Sequence, residues 1–101
     1  MTRELSIKYP DYVFIKISTS SKKDITIKKE KYMVHRDITM HKFLISLRCD
    51  KYVKLRSQQN LTPFIDNIIP RLTDCLGTIY DRHQKEDGIL YVCIETENVF
   101  G

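Results

Sequence analysis

The stretch Tyr12 to Ile17, reading Tyr-Val-Phe-Ile-Lys-Ile, constrains the fold of this chain more than any other segment. All but Lys16 are β-branched or aromatic, and a two-residue period sets Val13, Ile15 and Ile17 against Tyr12, Phe14 and Lys16. The pattern predicts a strand with one buried face. The polar run Ser18-Thr19-Ser20-Ser21-Lys22-Lys23-Asp24 ends it. Lys29 to Val34 then predicts a second extended segment, with Tyr32 and Val34 alternating against Lys31 and Met33. The two together predict a leading β-hairpin.

Periodicity changes after Asp37 and Thr39, both competent N-caps: Met40, Phe43, Leu44 and Leu47 follow the helical i, i+3, i+4, i+7 spacing. They predict a helix over 39–50. Leu61 to Ile65 reads as a short strand, and because Pro63 donates no hydrogen bond to a ladder, that strand belongs at a sheet edge. Asp66-Asn67 turns the chain into Ile68-Ile69-Pro70. Thr73 is positioned to cap a second short helix that carries Cys75 and the spaced Leu76, Ile79, Tyr80 and His83, ending before Asp87-Gly88. Ile89 to Ile94 is apolar on both faces and so reads as a central, partly covered strand, with Glu95 to Gly101 as an exposed tail. The order strand, strand, helix, strand, short helix, strand predicts an α+β fold of the ubiquitin-like β-grasp kind: a four-stranded mixed sheet with a main helix across one face.

At 101 residues and 42% hydrophobic, the chain fits one domain, 1–101, with one modest core. Cys49, Cys75 and Cys93 are odd in number and form no Cys-x-x-Cys pair, which argues against a secreted disulfide staple and a zinc site and for a reducing compartment. Charges near Met1 interrupt any signal-peptide core, and no apolar run reaches membrane-spanning length, so the chain is expected to be soluble and intracellular. The formal charge of +4 is concentrated in Lys22, Lys23, Lys28, Lys29 and Lys31. Such a run either meets acidic partners or deters unwanted pairing at a strand edge. Nucleic acid is disfavoured, because Arg is sparse and the aromatics fall at core-like positions. No catalytic constellation is found: His35, His41 and His83 share no ligand spacing with the cysteines, and Cys93 sits in an apolar strand where a thiol is inert packing. No cofactor and no metal are expected.

Lys8-Tyr9-Pro10-Asp11, Lys31-Tyr32-Met33-Val34, Asp37-Ile38-Thr39 with Phe43 and Leu47-Arg48, Asn67-Ile68-Ile69-Pro70, Ile79-Tyr80, Glu86-Asp87-Gly88, Leu90-Tyr91-Val92 and Glu97-Asn98-Val99-Phe100-Gly101 occur in this order. Together they resemble the autophagy ubiquitin-like family that includes the microtubule-associated light chains and GABARAP. The most specific piece is the aromatic-glycine end after Glu-Asn, preceded by Asp-Gly-x-Leu-Tyr. The chain departs from the family in a shorter N-terminus, where residues 1–10 form a short helical extension and Thr2 to Lys8 resembles the family's second helix. It also has His35 in place of proline, Lys16 in place of a groove-lining aliphatic, a small insertion near Cys49-Asp50, and Thr62 and Pro63 in place of aromatics.

The resemblance implies a non-enzymatic modifier whose Gly101 is activated by partner enzymes and joined to phosphatidylethanolamine on autophagic membranes. It implies a monomer that is cytoplasmic when free and reversibly attached to autophagosome or related vesicle membranes. It also implies a peptide groove at the edge of the second strand, where Lys31 and Met33 offer backbone groups to receptors carrying an acidic aromatic-x-x-aliphatic motif. One pocket of that groove is lined by Leu5, Phe14, Lys31, Met33 and Ile89. The other is lined by Tyr32, Val34, His35, Ile38, Phe43 and Leu47, with Lys29, Lys31 and Lys51 facing the ligand's acids. For Phe43 and Leu47, plain core packing accounts for the spacing equally well. Two other functions stay open at this point: a modifier attached to a protein lysine, and a non-conjugated basic β-grasp module that binds nucleic acid or acidic proteins.

Overall fold

Strand β1, Tyr12–Ser18, lies at the middle of the molecule: it pairs antiparallel with β3, Lys31–His35, and parallel with β6, Leu90–Thr96. A computed structural model describes residues 8–56 and 60–96. The N-terminal helix that the sequence predicts, Leu5, and Gly101 with the last residues of the tail lie outside the described residues. Strand β5, Leu61–Phe64, adds antiparallel to β6 and completes a mixed sheet ordered β3-β1-β6-β5. Pro63 thus sits on an edge strand, as its missing donor requires.

The two-residue period of β1 sorts as the sequence predicts, with Val13, Ile15 and Ile17 each no more than 1% exposed. Leu90, Val92 and Ile94 of β6 lie on the same face and are fully buried. Across them packs α1, Met40–Arg48, which contributes Met40, Phe43, Leu44 and Leu47 to one continuous core. Burying each such side chain stabilises the fold by about 1.5 to 3 kcal/mol. The outer face of β6 is not apolar throughout: Tyr91 is exposed, and Cys93 and Glu95 alternate with the buried residues.

Helix boundaries are shorter than expected, for a physical reason. Thr39 is the N-cap of α1, its Oγ1 accepting from Lys42 N at 3.2 Å, and the helix ends at Arg48 rather than at residue 50. Helix α2, Leu76–His83, is capped at Cys75 without any side-chain bond, so Thr73 does not cap it and Cys75 precedes it. The two helix starts cap each other through backbone instead. Met40 N and His41 N donate to Asp74 O and Leu72 O, while Leu76 N and Gly77 N donate to Ile38 O and Arg36 O. Four otherwise unpaired N–H groups are satisfied this way.

The leading hairpin is wide. Its connection carries β2, Ile25–Ile27, which pairs antiparallel with β4, Val53–Leu55, as a separate two-stranded ribbon. Ile25 and Val53 of this ribbon join the core, while Thr26 and Lys54 face outward as a cross-strand pair. Asp66 and Asn67 have φ of 52° and 66°, and Ile65 and Ile68 exchange both backbone bonds around them. That is a two-residue turn with both central residues left-handed, the kind Asp and Asn tolerate. Finally, β6 continues to Thr96, so Glu95 and Thr96, expected in the tail, pair with Thr62 and Leu61.

Candidate functional site: an open strand edge and the root of the tail

Register decides what the edge strand offers. Ile17 N donates to Glu30 O and Arg36 N donates to Asp11 O, so residues 30, 32, 34 and 36 turn their backbone groups toward β1. The alternate residues Lys31 and Met33 turn theirs away from the sheet, and among the described residues β3 pairs with β1 alone. His35 O is used within the turn, where it accepts from Ile38 N. The open edge therefore presents the donors and acceptors of Lys31 and Met33.

The same parity divides the side chains. On the outer face, Met33 stands opposite Phe14, and extending the β1–β6 register by one residue puts Ile89 on Phe14's other side. Met33 is 48% exposed and Phe14 9%. One step along, Lys31 stands opposite Lys16, which has Tyr91 as its other neighbour. Two like charges directly across a ladder repel. They are offset by Glu30, 3.7 Å from Lys16 Nζ, and by Asp87, which accepts from the Tyr91 hydroxyl. That bond holds the Asp87 carboxyl below its usual range and pushes the Tyr91 phenol up.

On the helix face, Tyr32, Val34 and Ile38 are half-buried against the core. Phe43, at 2%, and Leu47, at 1%, belong to the core itself and form the floor beneath them. The Tyr32 and Phe43 rings meet edge to face with centroids 6.2 Å apart. His35 departs from the expected grouping: strand parity carries it to the outer face, where it packs on Tyr12 with centroids 5.4 Å apart.

Lys29 Nζ lies 5.0 Å from the Tyr32 ring centroid and 5.6 Å from that of Tyr52, and Lys51 Nζ lies 5.1 Å from Tyr52. Lys29 and Lys51 are thus held by aromatic faces rather than left to swing freely. Burial, followed by the nearby Asp50 carboxylate, pushes the Tyr32 phenol up to about 12, and the buried hydroxyl lies toward that carboxylate without closing a hydrogen bond of normal geometry. Tyr52 and Asp50 belong to the turn between α1 and β4 and are not legible from the sequence as site residues. The available signal was an aromatic set among lysines.

The tail leaves from Thr96, and the residue before it is fixed. Glu95 accepts from Ser20 N at 2.8 Å, from Ser20 Oγ at 2.7 Å, from Ser21 Oγ, and from Cys93 Sγ at 3.0 Å. Burial pushes the Glu95 carboxyl up, but the bonds from Cys93, Ser21 and Ser20 outweigh it and hold the group at about 2. Burial, and then Glu95, raise the Cys93 thiol, which argues against a reactive thiolate there.

The family described as "Autophagy protein Atg8 ubiquitin like" matches residues 2–101. The Autophagy-related protein 8 of Schizosaccharomyces pombe is 39% identical over 95 residues, which are 93% of this chain and 77% of that protein. That of Mycosarcoma maydis is 37% identical over 95 residues, 93% of this chain and 79% of its own length. Among solved structures, Plasmodium falciparum Atg8 in complex with a Plasmodium falciparum Atg3 peptide superposes with a TM-score of 0.79 at 22% identity, over 96% of this chain and 85% of that one. Trypanosoma brucei ATG8 superposes with a TM-score of 0.77 at 24% identity, over 99% and 85%. The chain belongs to the Atg8 family of autophagy ubiquitin-like modifiers.

Proposed function

We propose that this modifier is joined through Gly101 to phosphatidylethanolamine on autophagic membranes and there recruits receptors whose acidic aromatic-x-x-aliphatic segment adds as a strand to β3. The observation that carries the receptor half is the outward-turned backbone of Lys31 and Met33 on an edge that pairs only with β1 among the described residues. Apolar side chains flank that edge on both faces, Met33 and Phe14 outside and Tyr32, Val34 and Ile38 inside. Two anchors buried at about 1.5 to 3 kcal/mol each fall short of the roughly 8 kcal/mol of a micromolar complex. Backbone pairing and the lysines Lys29, Lys31 and Lys51 contribute the remainder, and affinity falls modestly with salt.

The conjugation half rests on family membership and on the terminal Glu97-Asn98-Val99-Phe100-Gly101. Partner enzymes carry the chemistry: the Gly101 carboxyl is adenylated, passed as a thioester to a cysteine, and transferred to the lipid amine as an amide. Glycine suits this end because it lacks a Cβ that would obstruct a narrow channel. That a Plasmodium relative is solved with an Atg3 peptide supports contact with the conjugating enzyme. The free protein is then cytoplasmic and its membrane attachment reversible. Among the described residues, no helix is long and apolar enough to cross a membrane by itself.

Intact mass spectrometry after incubation with activating enzyme, conjugating enzyme and phosphatidylethanolamine liposomes tests the attachment. The expected result is one phospholipid adduct, abolished by Gly101→Ala; an adduct on the variant would refute the site. For the groove, Lys31→Glu is expected to weaken an acidic aromatic-x-x-aliphatic peptide while leaving Tm nearly unchanged. Equal affinity in titration calorimetry would overturn the placement.

A further inference from the structure

The C-terminal end of α1 and strand β4 enclose an open depression of about 690 Å³ whose charged lining is Arg48, Lys51, Lys54, Arg56 and a single carboxylate, Asp50. Asp50 is turned into its own loop, where it accepts from Tyr52 N at 2.8 Å. Among the described residues, no carboxylate forms an ion pair with Lys54 or Arg56. Lys54 points outward from the β2–β4 ribbon opposite Thr26. Clustered like charge costs stability by self-repulsion unless something anionic covers it.

The position of the depression says what that is. Arg48 Nη1 donates to Asn60 Oδ1 at 3.1 Å, and the next residue, Leu61, pairs with Thr96, from which the tail departs. Gly101 is five residues beyond Thr96, a reach of at most about 18 Å. An anchor on Gly101 therefore holds a membrane within reach of this end of the molecule. Ile45, 47% exposed, adds an apolar side chain to the lining, as suits a headgroup boundary. The lining contains no aromatic ring on which a nucleobase would stack, which favours a lipid surface over nucleic acid.

We propose that this depression docks anionic lipid headgroups and so orients the modifier on the membrane. The inference rests on the reading that Gly101 is joined to a membrane lipid, and its test does not use that linkage. The unconjugated full chain is sedimented with phosphatidylcholine vesicles and with phosphatidylserine-containing phosphatidylcholine vesicles. It is expected to partition more strongly to the anionic ones. A basic residue near such a surface is worth about fivefold in partitioning, so Lys54→Glu with Arg56→Glu should lower it about tenfold or more. Arg71→Glu with Arg82→Glu changes net charge equally at the opposite end and should lower it by less than about threefold. Equal partitioning of the wild type to both vesicle types, or equal loss in both double variants with Tm retained, would overturn the proposal. Binding to a single-stranded oligonucleotide without binding to vesicles would also overturn it, in favour of nucleic acid. Failure of the adduct on Gly101 is read separately by mass and leaves the vesicle result standing.

Discussion

Replacing Glu95 with Gln tests how the root of the tail is held. The carboxylate accepts two bonds from Ser20, one from Ser21 and one from Cys93, and its folded pKa is about 2 against 4.5 when free. A group depressed on folding stabilises the native state above its unfolded pKa and loses that contribution as pH falls toward the folded value. Here the contribution is complete above about pH 5 and is gone near pH 2. A shift from 4.5 to about 2 corresponds to about 3 kcal/mol, reduced to about 2 because Glu95 is only partly shielded from water. Glutamine keeps the size but offers one neutral acceptor, so Glu95→Gln is expected to cost about 2 kcal/mol at neutral pH. In a domain of this length that lowers Tm by roughly 8 to 16 °C. Thermal unfolding of both proteins from pH 7 down to pH 2.5 gives the reading, and the gap should narrow steadily below pH 5. A variant as stable as wild type at pH 7, or a gap constant with pH, would refute the reasoning.

Two further substitutions probe the scaffold of the groove. A Cβ on Gly77 would stand 2.9 Å from Arg36 Cβ and Nε, and Arg36 is held there by Gly77 O and Asp81. Gly77→Ala should therefore cost about 1 to 3 kcal/mol in urea unfolding, and clearly less in an Arg36→Ala background. Tyr32→Phe removes a buried hydroxyl that closes no hydrogen bond of normal geometry while keeping the ring on Phe43. Its stability is expected to equal or exceed wild type by up to about 1 kcal/mol, and a clear loss would mean that the hydroxyl has a partner after all.

Period made β1 and α1 legible, because each buries one regular face against the other, whereas β6 read as an apolar run whose alternation shows only in the fold. Pro63 placed β5 at an edge for the same elementary reason that proline cannot donate. What the sequence concealed was set by tertiary contact. Strands β2 and β4 are three residues each, with lysines beside them, too short for a period to register. Cys75 precedes α2 with no side-chain bond because backbone carbonyls from the chain before α1 take its first N–H groups. The resemblance places His35 in one pocket with Val34, yet neighbours on a strand face opposite sides. Tyr52 gains its role only when the turn between α1 and β4 brings its ring to Lys29.

The sheet also fixes how the edge and the tail relate. Strand β6 runs parallel to β1 and antiparallel to β3, so the tail leaves from the end of the sheet where β3 begins. Lys31 is level with Lys16 and Tyr91, and Thr96 lies five residues further along β6. The crossover carrying Lys22, Lys23, Lys28 and Lys29 is at that same end, as are Arg48 and the basic depression beside Asn60. On the proposed reading, a membrane held by Gly101 meets the basic end of the protein, and β3 leads away from it. A receptor strand paired to β3 then sets its acids near Lys29 and Lys31, close to the bilayer, and its apolar anchors farther out. Anionic headgroups and the ligand's acids would draw on neighbouring lysines, so the lipid surface tunes receptor affinity through charge alone, without altering the open edge.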